Sequence, residues 1–219
     1  MTEDLRSSRT ELKRYPVRGH HDLETISAIL DEAYVCHVGF SDNGQPYVVP
    51  MIYGREAGML YLHGSAAGRA LGTLASGDAL CVTVTLVDGL VLARSGFHSS
   101  INYRSVMVLG SAEPVEAADK ERALKVISDH VVPGRWDNLR PLKTAELEQT
   151  TVLRMEIVEA SAKIRSGPPL DDEEDYKLPI WAGTLDFQAA EPIAVPDNRL
   201  VANIDVPSHV RKWGRPKKA

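Results

Sequence analysis

The residues with the clearest capacity for chemistry lie in the segment LYLHGSAAGRALGTL, residues 60–74. An alternating strand pattern leads into His63-Gly64-Ser65, and a short helical pattern carrying Arg69 follows. Ser65 stands where a helix N-cap belongs, and a helix start offers unpaired N–H groups that bind anions. Arg69 comes about one turn later, so its guanidinium can reach the same anion. The segment predicts an anion site; the alternative is that Ser65 only caps a connecting helix and Arg69 is a surface residue.

Alternation assigns the two faces of this strand. Leu60 and Leu62 are expected in the core, whereas Tyr61 and His63 face a pocket or a partner chain. Gly64 allows the backbone to turn tightly. The segment lacks the glycine spacing and the lysine of a P-loop, which argues against ATP or GTP.

Two more arginines lie within apolar strand patterns, Arg94 and Arg104. A charge at such a position is costly unless it is paired. Alternation places Arg104 on the face of Val106, and it places Tyr103 and Ser105 on the opposite face. Arg104 is therefore expected either to pair with a carboxylate across a subunit interface or to meet a bound anion.

The elements that must position these residues are mainly strands. Helical stripes cover 22–33, with Asp22 as the expected N-cap, and 117–132, and a short helix covers 66–76. The strands are separated by turn sequences such as Ser41-Asp42-Asn43-Gly44. Strand patterns cover 34–40, 45–54, 58–64, 79–87, 90–97, 101–115 and 150–164.

About six strands with short turns and few helices predict a mainly β protein with peripheral helices, of the α+β class, closed as an antiparallel barrel. Residues 1–20 are expected to form an arm, 21–165 the barrel domain, and 166–219 an extension on the barrel or a partner. Within that extension, the acidic run 171–175 is expected to be a solvated loop, and HVRKWGRPKKA (209–219) a basic tail.

Composition narrows the functional classes. The chain has 219 residues with 43% hydrophobic and 25% charged residues, which is ordinary for a globular protein. A net charge of −5 argues against general nucleic-acid binding, and no apolar run is long enough to span a membrane. Cys36 and Cys81 lie in apolar runs without metal-ligand spacing, so both are expected to be buried thiols. We therefore expect a cytoplasmic location with no membrane or nucleic-acid partner.

The seven histidines form no zinc motif, and no nucleophile elbow indicates a hydrolase. His63 is the best candidate for contact with a cofactor, or for an axial haem ligand, because it lies beside the predicted anion site.

Taken together, the motifs and their order resemble the split-barrel flavoproteins of the pyridoxamine 5′-phosphate oxidase superfamily, and in particular the branch that contains nitroimidazole-resistance proteins. The resemblance covers about residues 10–165. It is carried by YPVRGH (15–20), ETISAILDEA (24–33), VCHVGF (35–40), YLHGSAAGR (61–69) and NYRSVMVLGSAEPV (102–115).

This resemblance implies a six-stranded antiparallel split barrel, a homodimer, and FMN at the subunit interface. It implies that Arg69 binds the flavin phosphate and that His63, Gly64 and Ser65 precede it at the strand end. Ser105 falls where the oxidases carry a glutamine facing the flavin ring, and Trp181 resembles a late tryptophan that closes over the cofactor. The complete set of expected cofactor contacts is Pro50, Met51, Ile52, Tyr53, His63, Gly64, Ser65, Arg69, Tyr103, Arg104, Ser105 and Trp181.

The chain also departs from the oxidases. They carry an arginine and a lysine on the strand matching 48–53, which here is VVPMIY without a positive charge. They also end with a substrate-binding arginine that has no match here. Oxidation of pyridoxamine phosphate is therefore not expected. FMN is the first expectation for the cofactor, and FAD, deazaflavin F420 and haem are alternatives.

The sequence thus predicts a flavin-dependent oxidoreductase that acts on a small molecule, such as a nitroaromatic compound, at a homodimer interface. One alternative is a carrier or storage protein that binds FAD, F420 or haem without turnover. The other is an interaction module with no cofactor.

Overall fold

The computed structural model describes residues 4–188, 191–201 and 204–214. The start of the expected arm and the end of the basic tail, residues 215–219, lie outside the described residues. The strands are β1 (Gly19–His20), β2 (Val35–Asp42), β3 (Gln45–Glu56), β4 (Met59–Ser65), β5 (Ala79–Leu92), β6 (Ser100–Ser111), β7 (Glu113–Pro114), β8 (Thr150–Glu156), β9 (Ala160–Arg165) and β10 (Gly183–Asp186).

Within the described residues, five α-helices accompany the strands, and short 3-10 turns cover Pro16–Arg18, Trp136–Asn138 and Asp175–Lys177. The helices are α1 (Leu23–Glu32), α2 (Arg69–Leu74), α3 (Lys120–Val131), α4 (Thr144–Glu148) and α5 (Ser208–Arg211).

The strands form one antiparallel sheet in the order β1-β9-β6-β5-β2-β3-β4-β8-β7, with β10 paired to β5. The protein is therefore mainly antiparallel β with a few helices, which agrees with the predicted α+β class. The expected closed six-stranded barrel is not observed, because the ten strands of the described residues pair along a path that does not close. A single residue, Ala112, separates β6 from β7, and its side chain is buried in the main core. The chain thus passes directly from a strand paired with β9 to a strand paired with β8.

The first helix begins as the sequence predicts. The Asp22 carboxylate accepts the Thr25 N–H at 2.8 Å, which satisfies one of the unpaired donors of the first turn. One stripe of the helix is buried against the sheet, formed by Ile26, Ile29 and Leu30. The cap and the 3.6-residue period together explain why these residues form a helix.

The long third strand changes partners in its middle. Residues Gln45 to Ile52 pair with β2, whereas Tyr53 to Glu56 pair with β4. Tyr53 is fully buried, and its hydroxyl donates to the Leu30 carbonyl at the end of α1. Burial raises the pKa of this phenol. The change of partner is thus anchored by a core tyrosine.

Helix α3 lies directly over Gly54. A Cβ atom at this position would come within 2.7 Å of the Ile127 Cα, so only glycine permits the contact. His130 on the same helix bonds to the Ala33 carbonyl at 2.9 Å through Nε2. Beneath α3 lies a second apolar cluster, separate from the main core, formed by Tyr61, Val115, Ala123, Ile127 and Val152.

The C-terminal extension packs on the far end of the β5–β6 hairpin. Its strand β10 pairs with β5 from Gly183↔Leu92 to Asp186↔Gly89. The Asp171 side chain is fully buried, and its carboxylate accepts both the backbone N–H and Nη1 of Arg94 at 3.0 Å. The expectation of a solvated acidic loop is therefore wrong for Asp171, because this carboxylate neutralises a partly buried guanidinium.

Candidate functional site between diverging strands

The predicted anion segment folds as a strand, a turn and a short helix, but the helix begins later than expected. Its N-cap is Gly68, not Ser65, and α2 starts at Arg69. The Gly68 N–H donates to the Ser65 carbonyl at 2.9 Å, so Ala66 and Ala67 form a turn before the helix starts. The Ser65 hydroxyl accepts the Ala67 N–H at 3.3 Å within that turn. Ser65 therefore organises the turn instead of capping the helix.

Arg69 lies across a gap between two strands. The β3–β4 ladder reaches only as far as Tyr53↔Leu62, and from there β3 continues along β2 while β4 continues along β8. The exposed Arg69 side chain spans this gap, donating from Nη1 to the Tyr47 hydroxyl at 3.1 Å. Its guanidinium also lies 5.4 Å from the Tyr47 ring centroid. Among the described residues no carboxylate pairs with Arg69, which leaves most of its donors for an external acceptor.

His63 lies on β4 beside this gap, two residues before Ser65. The prediction that Leu60 and Leu62 lie in the core is confirmed, since both are buried. The prediction that Tyr61 faces a pocket or a partner chain is wrong, because its side chain is buried in the second cluster under α3. His63 is half-buried, and its Nδ1 atom is buried with no partner among the described residues. Burial lowers the pKa of this imidazole, which favours the neutral form.

The outer face of the sheet next to the gap is apolar. On β3, Val48, Pro50 and Ile52 are exposed, and the neighbouring β2 residues are Val35 and His37. Pro50 pairs with His37, and Ile52 pairs with Val35. This surface, residues Val35, His37, Val48, Pro50 and Ile52, is referred to below as the outer sheet face.

Two of the predicted β3 contacts do not lie on the outer sheet face. Met51 packs against the main core, and Tyr53 is buried in it with its hydroxyl bonded to Leu30. Neither side chain is positioned to contact a cofactor on the outer side. The physical reason is the alternation of the strand, which turns every second residue inwards.

The predicted division of β6 into two faces is confirmed by burial. Val106 is buried on the inner side, and Tyr103 and Ser105 are half-buried on the outer side. Ser105 pairs with Thr85 on β5. Because β5 and β2 lie between β6 and β3, Ser105 is three strand spacings, about 14 Å, from Pro50 in the same chain.

Arg104 is paired inside its own subunit. Its guanidinium bonds to both carboxylate oxygens of Glu32, with Nη2 at 2.9 Å from Oε1, and to both oxygens of Asp88 at 2.8 and 3.0 Å. These bonds raise the pKa of Arg104. Arg104 therefore pairs with two carboxylates of its own chain, which is not the pairing across a subunit interface that the sequence suggested. Its contact with a cofactor stays a prediction.

Trp181 does not cover the gap of its own chain. Its ring lies against Gly183, which pairs with Leu92 at the far end of β5. Thr83, the β5 residue beside His37, is nine residues away from Leu92, about 30 Å along an extended strand. The side chain is 65% exposed, so it remains available to a surface other than its own site.

His63, Gly64, Ser65 and Arg69 belong to one strand–turn–helix segment, and Pro50 and Ile52 lie on the outer sheet face. Tyr103, Ser105 and Trp181 lie elsewhere on the same subunit. Tyr47, which orients Arg69, was not predicted as a site residue. The alternation of β3 places its side chain on the core side, and no local pattern indicates that α2 would approach it.

Comparison with known proteins identifies the fold. Residues 22–164 match the protein family described as Pyridoxamine 5′-phosphate oxidase. The chain belongs to this family. The chain has the flavin-binding fold of this family. A comparison with curated protein sequences finds no match.

Three solved structures show where in the pyridoxamine 5′-phosphate oxidase family the chain lies. The flavocytochrome Anf3 from Azotobacter vinelandii is 42% identical with a TM-score of 0.91, and the alignment covers 98% of this chain and 100% of that one. The FAD and haem binding protein from Mycobacterium smegmatis is 31% identical with a TM-score of 0.85, covering 89% and 96%. A putative 5-nitroimidazole antibiotic resistance protein from Bacteroides thetaiotaomicron is 27% identical with a TM-score of 0.57, covering 67% and 86%.

Two further observations concern the described residues of this family member. They contain no group of three or more His, Cys, Asp and Glu side chains that could hold a metal ion. Within the same ranges, each helix is too short or too polar to cross a bilayer.

Arg104→Met tests the structural role of this arginine. We expect the free energy of unfolding to fall by about 3 kcal/mol, because Glu32 and Asp88 would keep their negative charges without a counter-ion. Urea titration measures the loss. The matched control is Arg122→Met, which breaks an exposed pair with Glu56 and should change stability much less. An unchanged stability together with a loss of flavin affinity would return Arg104 to the cofactor site.

Proposed function

We propose that the chain binds a flavin in the gap between β3 and β4, with a flavin phosphate on Arg69. The observation that carries this proposal is the guanidinium of Arg69, which bridges two diverging strands and has no carboxylate partner among the described residues. An arginine whose donors meet no carboxylate suits a phosphate. The turn before Arg69 is closed by its own bonds, since its N–H groups donate to the Gln149 carbonyl, the Ser65 hydroxyl and the Ser65 carbonyl.

The outer sheet face supports the position of the flavin ring. Val48, Pro50 and Ile52 offer an apolar surface to a planar aromatic system. Tyr47, which holds Arg69, lies three residues before Pro50, about 10 Å along the strand. Its side chain is on the core side of β3, whereas Pro50 faces outwards, so the proposed flavin passes the edge of β3 at the gap. A ribityl chain bridges such a separation between phosphate and ring.

The flavin we propose is FAD, with FMN as the alternative that the sequence predicts first. The support for FAD is the name of the Mycobacterium smegmatis protein, which shares 31% identity over 89% of this chain. F420 has no comparable support among the named relatives.

We also propose that His63 holds a haem. Its Nδ1 is buried without a partner among the described residues, and burial keeps the imidazole neutral, which is the form that binds a haem iron. Two relatives above 30% identity are named as a flavocytochrome and as an FAD and haem binding protein. His63 and Arg69 belong to one strand–turn–helix unit, so the two groups would lie close together.

The proposed assembly is a homodimer. In one subunit Ser105 lies about 14 Å from Pro50, and Trp181 lies at the other end of β5. A second copy seated on the outer sheet face would bring its own Tyr103, Ser105 and Trp181 to the flavin. The apolar exposure of Val35, Val48 and Ile52 supports such a contact.

The activity we propose is a redox reaction on a small acceptor, with nitroaromatic compounds among those to be tested. A flavin accepts a hydride or single electrons, and a haem exchanges single electrons. The residues of the chain hold the phosphate through Arg69, cover the ring from the outer sheet face, and present the neutral imidazole of His63. We propose that these events take place in the cytoplasm.

Arg69→Ala tests the phosphate contact. We expect the dissociation constant of the flavin to rise by about 5- to 150-fold, since one charge-assisted contact is worth about 1–3 kcal/mol. Titration of flavin-depleted protein with FAD and with FMN, followed by fluorescence quenching, measures both affinities. Arg140→Ala is the control, because this exposed arginine pairs with Glu146 away from the gap. Equal affinities in Arg69→Ala and the unaltered protein would reject the site.

His63→Ala tests the haem ligand. We expect haem-loaded protein to change its Soret band and its ferric spin state, because an axial imidazole is lost, and we expect free imidazole in the buffer to restore both. Absorption and electron paramagnetic resonance spectra provide the readout. His98→Ala is the matched control, because this histidine lies in the loop between β5 and β6 and contacts Asp172. If the His63 variant keeps the signature, the assignment is wrong.

Val87→Asp tests the dimer. Val87 is exposed on β5 next to Tyr103, so a carboxylate there should leave the subunit folded but make a contact between two copies unfavourable. Sedimentation velocity should show dimers for the unaltered protein and for Val158→Asp, which changes an exposed loop valine, and monomers for Val87→Asp. Monomers of the unaltered protein at micromolar concentration would refute the proposal.

A further inference from the structure

A cavity lies at the C-terminal end of α3. It has a volume of about 590 Å³ and forms between the end of α3 and the C-terminal segment. Pockets of this size hold small organic ligands in many proteins. Its apolar wall is formed by Val132, Pro192, Ile193, Val206, Val210 and Trp213.

The cavity is held in place by contacts that are distant in sequence. The Trp213 indole N–H donates to the Val131 carbonyl at 2.6 Å, and its ring lies 5.3 Å from that of Tyr34. The backbone turns below α3 at Gly134, whose φ of +78° is one that glycine adopts without strain. The C-terminal segment is therefore fixed to the body of the protein at this point.

Two guanidinium groups line the apolar wall, those of Arg135 and Arg211. Arg211 donates from Nη2 to the Val206 carbonyl at 3.0 Å and makes no ion pair with a described residue. The half-buried Arg135 side chain makes neither an ion pair nor a hydrogen bond within the described chain. Asp205 is the one carboxylate of the lining, so the lining keeps a net positive charge.

Some other surface arginines of the chain are paired. Arg122, Arg140 and Arg154 are all paired with carboxylates although they lie on the surface. Arg211 is exposed, whereas Arg135 is half-buried. A partly desolvated guanidinium such as that of Arg135, lying against apolar groups, is unfavourable unless an anion compensates it.

We propose that this cavity binds a small organic anion with an apolar body, of the monocarboxylate class. The carboxylate would lie between Arg135 and Arg211, and the apolar body would lie on Val210 and Trp213. This inference is independent of the flavin and haem proposals, since it involves none of their residues.

Calorimetric titration of the full-length protein, with whatever cofactors it carries, tests the proposal. The probe is octanoate, and the matched probe is 1-octanol, which has the same chain without the charge. We expect octanoate to bind one site per subunit at least tenfold more tightly than octanol, because only the carboxylate meets the guanidinium groups. Equal binding of both, or no binding of octanoate, would overturn the proposal on the unaltered protein alone.

Two variants locate the site. Arg135→Gln and Arg211→Gln should each weaken octanoate binding about tenfold and leave octanol unaffected, and Arg140→Gln should change neither. Neither arginine pairs with a described carboxylate, so we expect the variants to fold, and their melting temperatures verify this. Unchanged octanoate binding in both variants would place the anion elsewhere and refute the site. Flavin titration of the same variants should give unaltered affinity, which separates this proposal from the flavin site.

Discussion

The change of partner in the middle of β3 is the constraint on which the rest of the site depends. At Tyr53 the strand leaves β2 for β4, and the buried hydroxyl of that residue is bonded to Leu30 at the end of α1. Gly54 then admits the backbone of α3 at a distance that no side chain would allow. With α1 and α3 fixed on either side of this point, β3 and β4 must diverge beyond it. The gap that Arg69 crosses is the consequence.

Features that follow from a local period were predictable from the sequence. The inward Leu60 and Leu62, the two faces of β6 and the Asp22 cap each depend on residues within a few positions of one another. The class of fold followed from the same patterns. The closed barrel did not, because strand patterns give the number and direction of strands but not whether the last ladder forms.

Features that depend on distant residues were not predictable. The Arg104 guanidinium bonds to the carboxylate of Glu32, which lies 72 positions away, and no local pattern connects the two residues. The helix at Arg69 starts late because the Ser65 carbonyl is taken by Gly68, a turn whose sequence also suits a helix start. Trp181 was assigned by resemblance to a family position, but the pairing of β10 with the far end of β5 separates it from the gap of its own subunit.

The bonding partners of the arginines bear on the function of the gap. Arg104 and Arg94 are matched to carboxylates, and the buried Arg165 bonds to the Asn102 side chain and to two backbone carbonyls. Arg69 is held on a neutral phenol instead, in a protein with 30 acidic and 25 basic residues that could readily have supplied a carboxylate. A tyrosine orients a guanidinium without neutralising it, and so leaves its full charge for an external anion. The neighbouring His63 is also incompletely bonded, since its buried Nδ1 atom lacks a partner within the described chain. Two adjacent groups whose interactions are incomplete in the folded subunit are what a cofactor site requires of the residues that will hold the cofactor.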